Sequence, residues 1–246
     1  MIAAFETGAV MSNTTDKTDD ATQYDEETDP YCIDDASARD LLRGAPWRRF
    51  GLIGDSIAEG VGDASPGYRS LHWPIRVQNS LDAAVGGLEY LNLARSWATS
   101  RQVLDDQLEA VLEFDPDLLF VACGGNDLMT TEPDYQDIES NLNQLFAAGA
   151  STGAQLITMT FADATTDPKM IRFRPRVERL NEIVRTVASR YNAALVEFWW
   201  HPVGKRPGIL GADKIHMTTS GHAVIAAEVV KALSAVLVDR DAAGQQ

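Results

Sequence analysis

Short apolar runs alternate along the chain with longer stretches whose apolar residues recur every three or four positions. RFGLIG (49–54), LEYLNLA (88–94), DLLFVACGG (117–125), AQLITMTF (154–161) and ALVEFWW (194–200) have the length and the β-branched or aromatic content of strands. Helical spacing covers 71–83, 100–113, 135–149, 175–191 and 219–237. Pro116 closes the second of these, and Thr218, Thr219 or Ser220 offers a cap to the last. Alternation of this kind predicts an α/β fold: a parallel sheet of five strands with helices on both faces, because each parallel connection needs a crossover. Ligands bind such a sheet beyond the carboxyl ends of its strands, where strand order reverses. Residues that carry chemistry therefore belong in the segments that follow strands.

The chain has 246 residues, which suits one domain, taken here as 45–240. Its net charge of −15 is concentrated: residues 1–40 hold eleven carboxylates against Lys17 and Arg39, nine of the fifteen net negative charges. Residues 1–44 read as an acidic N-terminal segment expected to be disordered, most plainly over 12–31, which lack the apolar area to offset ordering entropy. The acidic balance argues against a nucleic-acid partner and against strong attraction of acidic substrates. No run approaches the ~20 apolar residues of a membrane span. MIAAFETGAV lacks the basic start and apolar core of a secretory signal, so a cytoplasmic location is expected. Two cysteines, Cys32 and Cys123, make no disulfide framework, and Cys123 reads as a buried free thiol.

Three segments that follow strands hold reactive residue types. Gly54-Asp55-Ser56 comes after the first and puts a hydroxyl at a strand-to-helix turn, where helix amides stabilise developing negative charge. Gly124-Gly125-Asn126-Asp127 comes after the third; its glycines let backbone approach a ligand and Asn126 offers an amide donor. Asp213 and His216 come after the fifth, spaced so that a carboxylate faces one imidazole nitrogen while the other faces a nucleophile. Each alone is ordinary turn or cap chemistry. Their placement on one edge of one sheet is what joins them.

With GDSI (54–57), GGND (124–127) and DKIH (213–216) in this order, the chain resembles the SGNH hydrolases, also called GDSL esterases and lipases, over about 48–237. The resemblance implies a flavodoxin-like three-layer α/β/α sandwich and a serine esterase that works through an acyl-enzyme without cofactor or metal. Carried onto this chain, Ser56 is the nucleophile, His216 the base and Asp213 its orienter, while Ser56, Trp97 and Asn126 form the oxyanion hole. Asp55, Gly125 and Trp97 are the expected substrate contacts. Trp97 stands where the family usually has glycine, in Asn92-Leu93-Ala94-Arg95-Ser96-Trp97. Its ring then walls the acyl pocket or narrows the site; the same residue also reads as an aromatic filling a gap under the next helix.

Small-molecule esters with short, uncharged acyl chains are the expected substrates, on the strength of small loops and an acidic surface. A carbohydrate O-deacetylase with the same triad, and a binding protein whose oxyanion hole Trp97 occludes, are the alternatives. No oligomeric state is specified. His72, His201, His222 and His216 make no zinc spacing, and His222 is expected to support the His216 loop. Segments 161–175 and 198–211, with Trp199 and Trp200, are candidates to line a leaving-group pocket.

Overall fold

The computed structural model describes residues 24–164 and 170–244. Five parallel strands, β1 (Arg49–Gly54), β2 (Glu89–Asn92), β3 (Leu118–Ala122), β4 (Gln155–Met159) and β5 (Ala194–Val196), form one sheet in the order β2-β1-β3-β4-β5. The central strands are buried on both faces, as their unbroken apolar runs require. The chain leaves β1 for β2 on one side and then crosses to β3 on the other. The reversal therefore lies between β1 and β3, and a crevice opens at their carboxyl ends.

One face of the sheet is covered by α1 (Asp35–Leu41), α3 (Trp73–Val85) and α8 (Thr219–Gly244), which pack on one another. Trp73, Phe50, Phe120 and Phe198 fill the core beneath them. The other face is covered by α4 (Ser100–Asp106), α5 (Leu108–Glu113), α6 (Tyr135–Ser151) and α7 (Arg174–Arg190), around Leu119, Val121, Leu145 and Leu180. A single turn of helix, α2 (Ser56–Glu59), follows β1 directly.

Two boundaries differ from the sequence reading, each for a physical reason. The helix expected over 100–113 breaks at Gln107, where the backbone departs from helical values (φ −119°, ψ −27°) while its side chain holds β1. Residues 24–44 are ordered and not a free acidic tail, because their carboxylates have partners that composition does not count. Asp29 is buried and accepts from the Arg206 guanidinium at 2.5 and 2.9 Å and from the Tyr68 hydroxyl at 2.8 Å. Glu26 accepts from Arg69 and Arg76; partial burial pushes its carboxyl up, but those guanidiniums hold it at about 2. Asp34 caps α1 through the Ser37 amide, and Leu42 then seats in the core. The remainder of the acidic segment, residues 1–23, lies outside the described residues.

α8 is a further correction. Thr219–Ala243 reaches a mean hydropathy of 1.7 and is long and apolar enough to cross a membrane, with 56% of its most apolar stretch buried. Its first half is buried as a core helix between α3 and β5, which it packs against, while its charged last turns are exposed.

Candidate active site

β1 ends in a turn that only glycine at 54 permits. Gly54 has φ +150°, and a Cβ there would stand 2.0 Å from the Ala122 carbonyl oxygen of β3. The Asp55 amide donates to that same carbonyl (3.1 Å), and the Asp55 carboxylate caps α2 by accepting from the Ile57 amide (3.0 Å). Ser56 is thereby the first residue of α2, its backbone amide at the positive end of the helix. The residue is 8% exposed, and its hydroxyl faces the loop before α8.

From that loop His216 reaches back. Its Nε2 lies 2.7 Å from Ser56 Oγ and its Nδ1 lies 2.6 Å from Asp213 Oδ2. Asp213 also accepts from the Ile215 and His216 amides (2.9 and 3.0 Å). Partial burial pushes the Asp213 carboxyl up, but the imidazole and amide hydrogen bonds outweigh it and hold it below the usual carboxylate range. The arrangement can pass the serine proton to an imidazole whose charge the carboxylate then stabilises. Asp63 fixes the loop from the far side: its side chain accepts from the Ala212 amide (2.9 Å) and its carbonyl from Thr219 (2.8 Å).

Asn126 opens the short helix that follows Gly124 and Gly125, and its Nδ2 donates to the Ala98 carbonyl at 3.0 Å, its second N–H having no acceptor among the described residues. Asp127 clasps the same neighbouring segment by accepting from the Ser100 amide and hydroxyl (2.9 and 2.7 Å). The segments after β2 and β3 are thus tied together beside Ser56. Trp97 lies between Ser96, whose amide and hydroxyl donate to Glu59 of α2, and Ala98. Its backbone is left-handed (φ +68°), the conformation that makes glycine the natural occupant. The ring neither walls a pocket nor fills a gap under α4: it is 71% exposed, absent from the cavity lining, and the crevice is not occluded by it.

A cavity of about 150 Å³ runs inward from Ser56. Ile57, Trp73, Met159, Ala162, Met217 and Ile225 make most of its wall apolar, with Asp55, Gly125 and Asn126 at its reactive end. Gly125 leaves room there, since a Cβ would meet the Phe161 ring at 3.0 Å. Burial pushes the Asp55 carboxyl up to about 7, and the nearby Asp127 charge adds to this, against hydrogen bonds from the Ile57 and Gly125 amides. Phe161, Ala164, Met170 and Phe173 of the 161–175 segment, a candidate for the leaving-group pocket, stand in the wall of this cavity. Of 198–211 only Leu210 contributes: Trp199 is buried beneath Arg174, and Trp200 is 68% exposed. Both were candidates for a leaving-group pocket, and neither lines the cavity.

His222 lines the cavity and binds elsewhere than the His216 loop: its Nδ1 accepts from the Trp73 amide (3.3 Å) and its Nε2 lies 3.2 Å from the Val61 carbonyl. Burial lowers its pKa to about 3, with His72 adding to the effect. Gln107 is the supporting residue that sequence reasoning missed. Fully inside, it accepts from the Gly54 amide (2.8 Å) and donates to the Gly54 carbonyl (3.0 Å), holding the turn before Ser56 from α4. The only hint in the sequence is a polar residue on the inward face of a helical stretch.

A family model described as GDSL-like lipase/acylhydrolase matches residues 52–224. Esterase TesA of Pseudomonas aeruginosa is 28% identical over 169 residues, which are 67% of this chain and 77% of that protein. A crystal structure of TesA superposes with a TM-score of 0.63 at 25% identity, covering 75% of this chain and 97% of the other. A catalytic mutant of Axe2, an acetylxylan esterase from Geobacillus stearothermophilus, superposes at 0.64 with 20% identity, over 78% and 94%, and shares the fold.

Proposed function

The chain belongs to the GDSL-like lipase/acylhydrolase family and is an ester hydrolase, and from that premise we propose that Ser56 is its nucleophile, His216 its general base and Asp213 the residue that orients His216. The observation that carries this reading is the 2.7 and 2.6 Å relay from serine to carboxylate at the mouth of an apolar cavity. His216 Nε2 takes the hydroxyl proton as Ser56 Oγ attacks the acyl carbon. The imidazolium, held by Asp213, returns that proton to the departing alcohol. Water then enters by the same route in reverse, and its attack on the acyl-enzyme frees the acid and Ser56.

We assign the oxyanion hole, where negative charge on the acyl oxygen develops, to the Ser56 amide, the Trp97 amide and the second side-chain N–H of Asn126. The Asn126 bond to Ala98 and the Asp127 bonds to Ser100 pre-orient these donors, so little reorganisation accompanies the reaction. Trp97 serves through its backbone alone. A cavity of about 150 Å³ takes a group the size of benzene, which supports short acyl chains such as acetyl and butyryl. Burial already disfavours the charged form of the Asp55 carboxyl beside it, so this end of the cavity suits an uncharged acyl group. We also propose a cytoplasmic location, in which the Cys32 and Cys123 thiols stay reduced.

A fluorophosphonate probe tests the assignment, since it labels only an activated serine. The label is expected on Ser56 by peptide mapping and is expected to be lost in His216→Ala. Labelling of another serine, or undiminished labelling of His216→Ala, contradicts the assignment.

A further inference from the structure

A second depression adjoins the cavity mouth, lined by Met129, Thr130, Thr131, Arg172, Phe173 and Arg176, and it shares Met129 and Phe173 with the cavity wall. Both arginines lie against one ring: the Arg172 guanidinium carbon is 5.0 Å from the Phe173 centroid and that of Arg176 is 5.4 Å. Among the described residues no carboxylate reaches either within ion-pair distance, although the chain carries a net charge of −15 and pairs Arg69, Arg76, Arg95, Arg101, Arg174 and Arg206 with acids. Glu132, next in sequence after Thr131, is exposed and makes no such pair.

Arg176 is held in place by carbonyls, which leave its charge standing. Its Nη1 donates to Leu128 and Thr130 (2.6 Å each) and its Nη2 to Thr131 (2.9 Å). A guanidinium has five N–H donors, so two remain for a ligand. α7 starts at this spot with no side-chain cap, and its amide end adds positive potential. Arg176 is fixed by those carbonyls and Arg172 is exposed beside it on the same ring, so the depression presents two guanidiniums with no carboxylate partner among the described residues.

We propose that this depression binds an anionic group, a carboxylate or a phosphate, on the leaving-group side of the ester. The proposal rests on the reading that the acyl chain fills the apolar cavity. Met129 and Phe173 then divide the two halves of the substrate. Arg172, exposed on its short helix, and the two spare donors of Arg176 grip the anion. The acidic balance of the chain as a whole, which argues against acidic substrates, does not describe this patch.

The test compares butyrate esters of methyl 4-hydroxybenzoate, 4-hydroxybenzoic acid and 4-hydroxyphenyl phosphate, which differ in the charge carried by the leaving phenol. For each anionic ester, kcat/KM is divided by that of the neutral ester. In Arg172→Gln the ratio for the preferred anion is expected to fall by about tenfold, while Arg240→Gln, the same charge change at the far edge of the sheet, leaves it as in wild type. The carboxylate and phosphate arms identify which anion is favoured. A ratio that Arg172→Gln does not lower, or that Arg240→Gln lowers equally, overturns the proposal. If the neutral ester is not hydrolysed, the functional reading fails separately. Calorimetric titration with benzoate and phenyl phosphate then decides the anion site: binding lost in Arg172→Gln supports it, and absence of binding to wild type overturns it.

Discussion

Replacing Trp97 with glycine separates what its backbone does from what its ring does. The ring is 71% exposed, so of the ~250 Å² an indole residue can bury it covers roughly 70 Å², worth about 1.8 kcal/mol at about 25 cal/mol per Å². Removing the left-handed strain of a side chain at φ +68° returns about 1–2 kcal/mol, and the extra freedom of glycine in the unfolded chain costs about 0.5–1 kcal/mol. Trp97→Gly is therefore expected to be less stable by about 1 kcal/mol, a fall in Tm of about 2–4 °C. Its amide remains, so kcat/KM on p-nitrophenyl butyrate is expected to stay within about threefold of wild type, whereas loss of an oxyanion donor costs ~10²–10³. Thermal melting and initial rates on the same preparations read both quantities. A hundredfold loss of turnover with the fold intact would refute the reasoning, since the ring and not the amide would then be making the site.

Three other perturbations test the supports. Gln107→Leu strands the Gly54 amide, while the Gly54 carbonyl still accepts from Arg95; urea unfolding should show a loss of about 1–3 kcal/mol, with lower kcat. Asp29→Asn leaves Arg206 charged and short of its buried partner, and the urea midpoint should report a loss of about 3 kcal/mol; an unchanged midpoint would mean the 24–44 segment contributes nothing to stability. Asp55 is raised to about 7 from 3.8, so the folded state binds the extra proton and this group costs stability as pH rises from about 4 to about 7. Asp55→Asn keeps the cap but cannot ionise; relative to wild type it should gain on the order of 4 kcal/mol between pH 4 and pH 8, and melts in which the difference shrinks with pH would reverse the sign of the argument.

The sheet was legible because each strand and helix writes its own period. β1 was read at its observed bounds, while the runs after β3 and β5 were read as longer strands than form, because Cys123, Phe198 and Trp199 stay buried after the backbone leaves the ladder. The grouping of Ser56, Asn126, Asp213 and His216 at one edge was legible because each sits beside a turn signal at the carboxyl ends of the strands. The order of residues 24–44 was not, because Asp29 and Arg206 are 177 positions apart and composition counts charges without their partners. Nor was the direction of the Trp97 ring: the missing glycine was visible, but only the observed φ says that the substitution left the backbone path intact and turned the ring outward. Gln107 and the pairing of Arg172 and Arg176 on one ring depend on tertiary contacts in the same way.

The most direct test is hydrolysis of p-nitrophenyl butyrate at neutral pH by the full chain beside its Ser56→Ala variant. The account predicts turnover by the wild type, with an initial burst where deacylation is slow, and a loss of ~10³-fold or more in the variant. Equal rates from the two proteins would contradict it, because the hydroxyl 2.7 Å from His216 would then take no part in the chemistry.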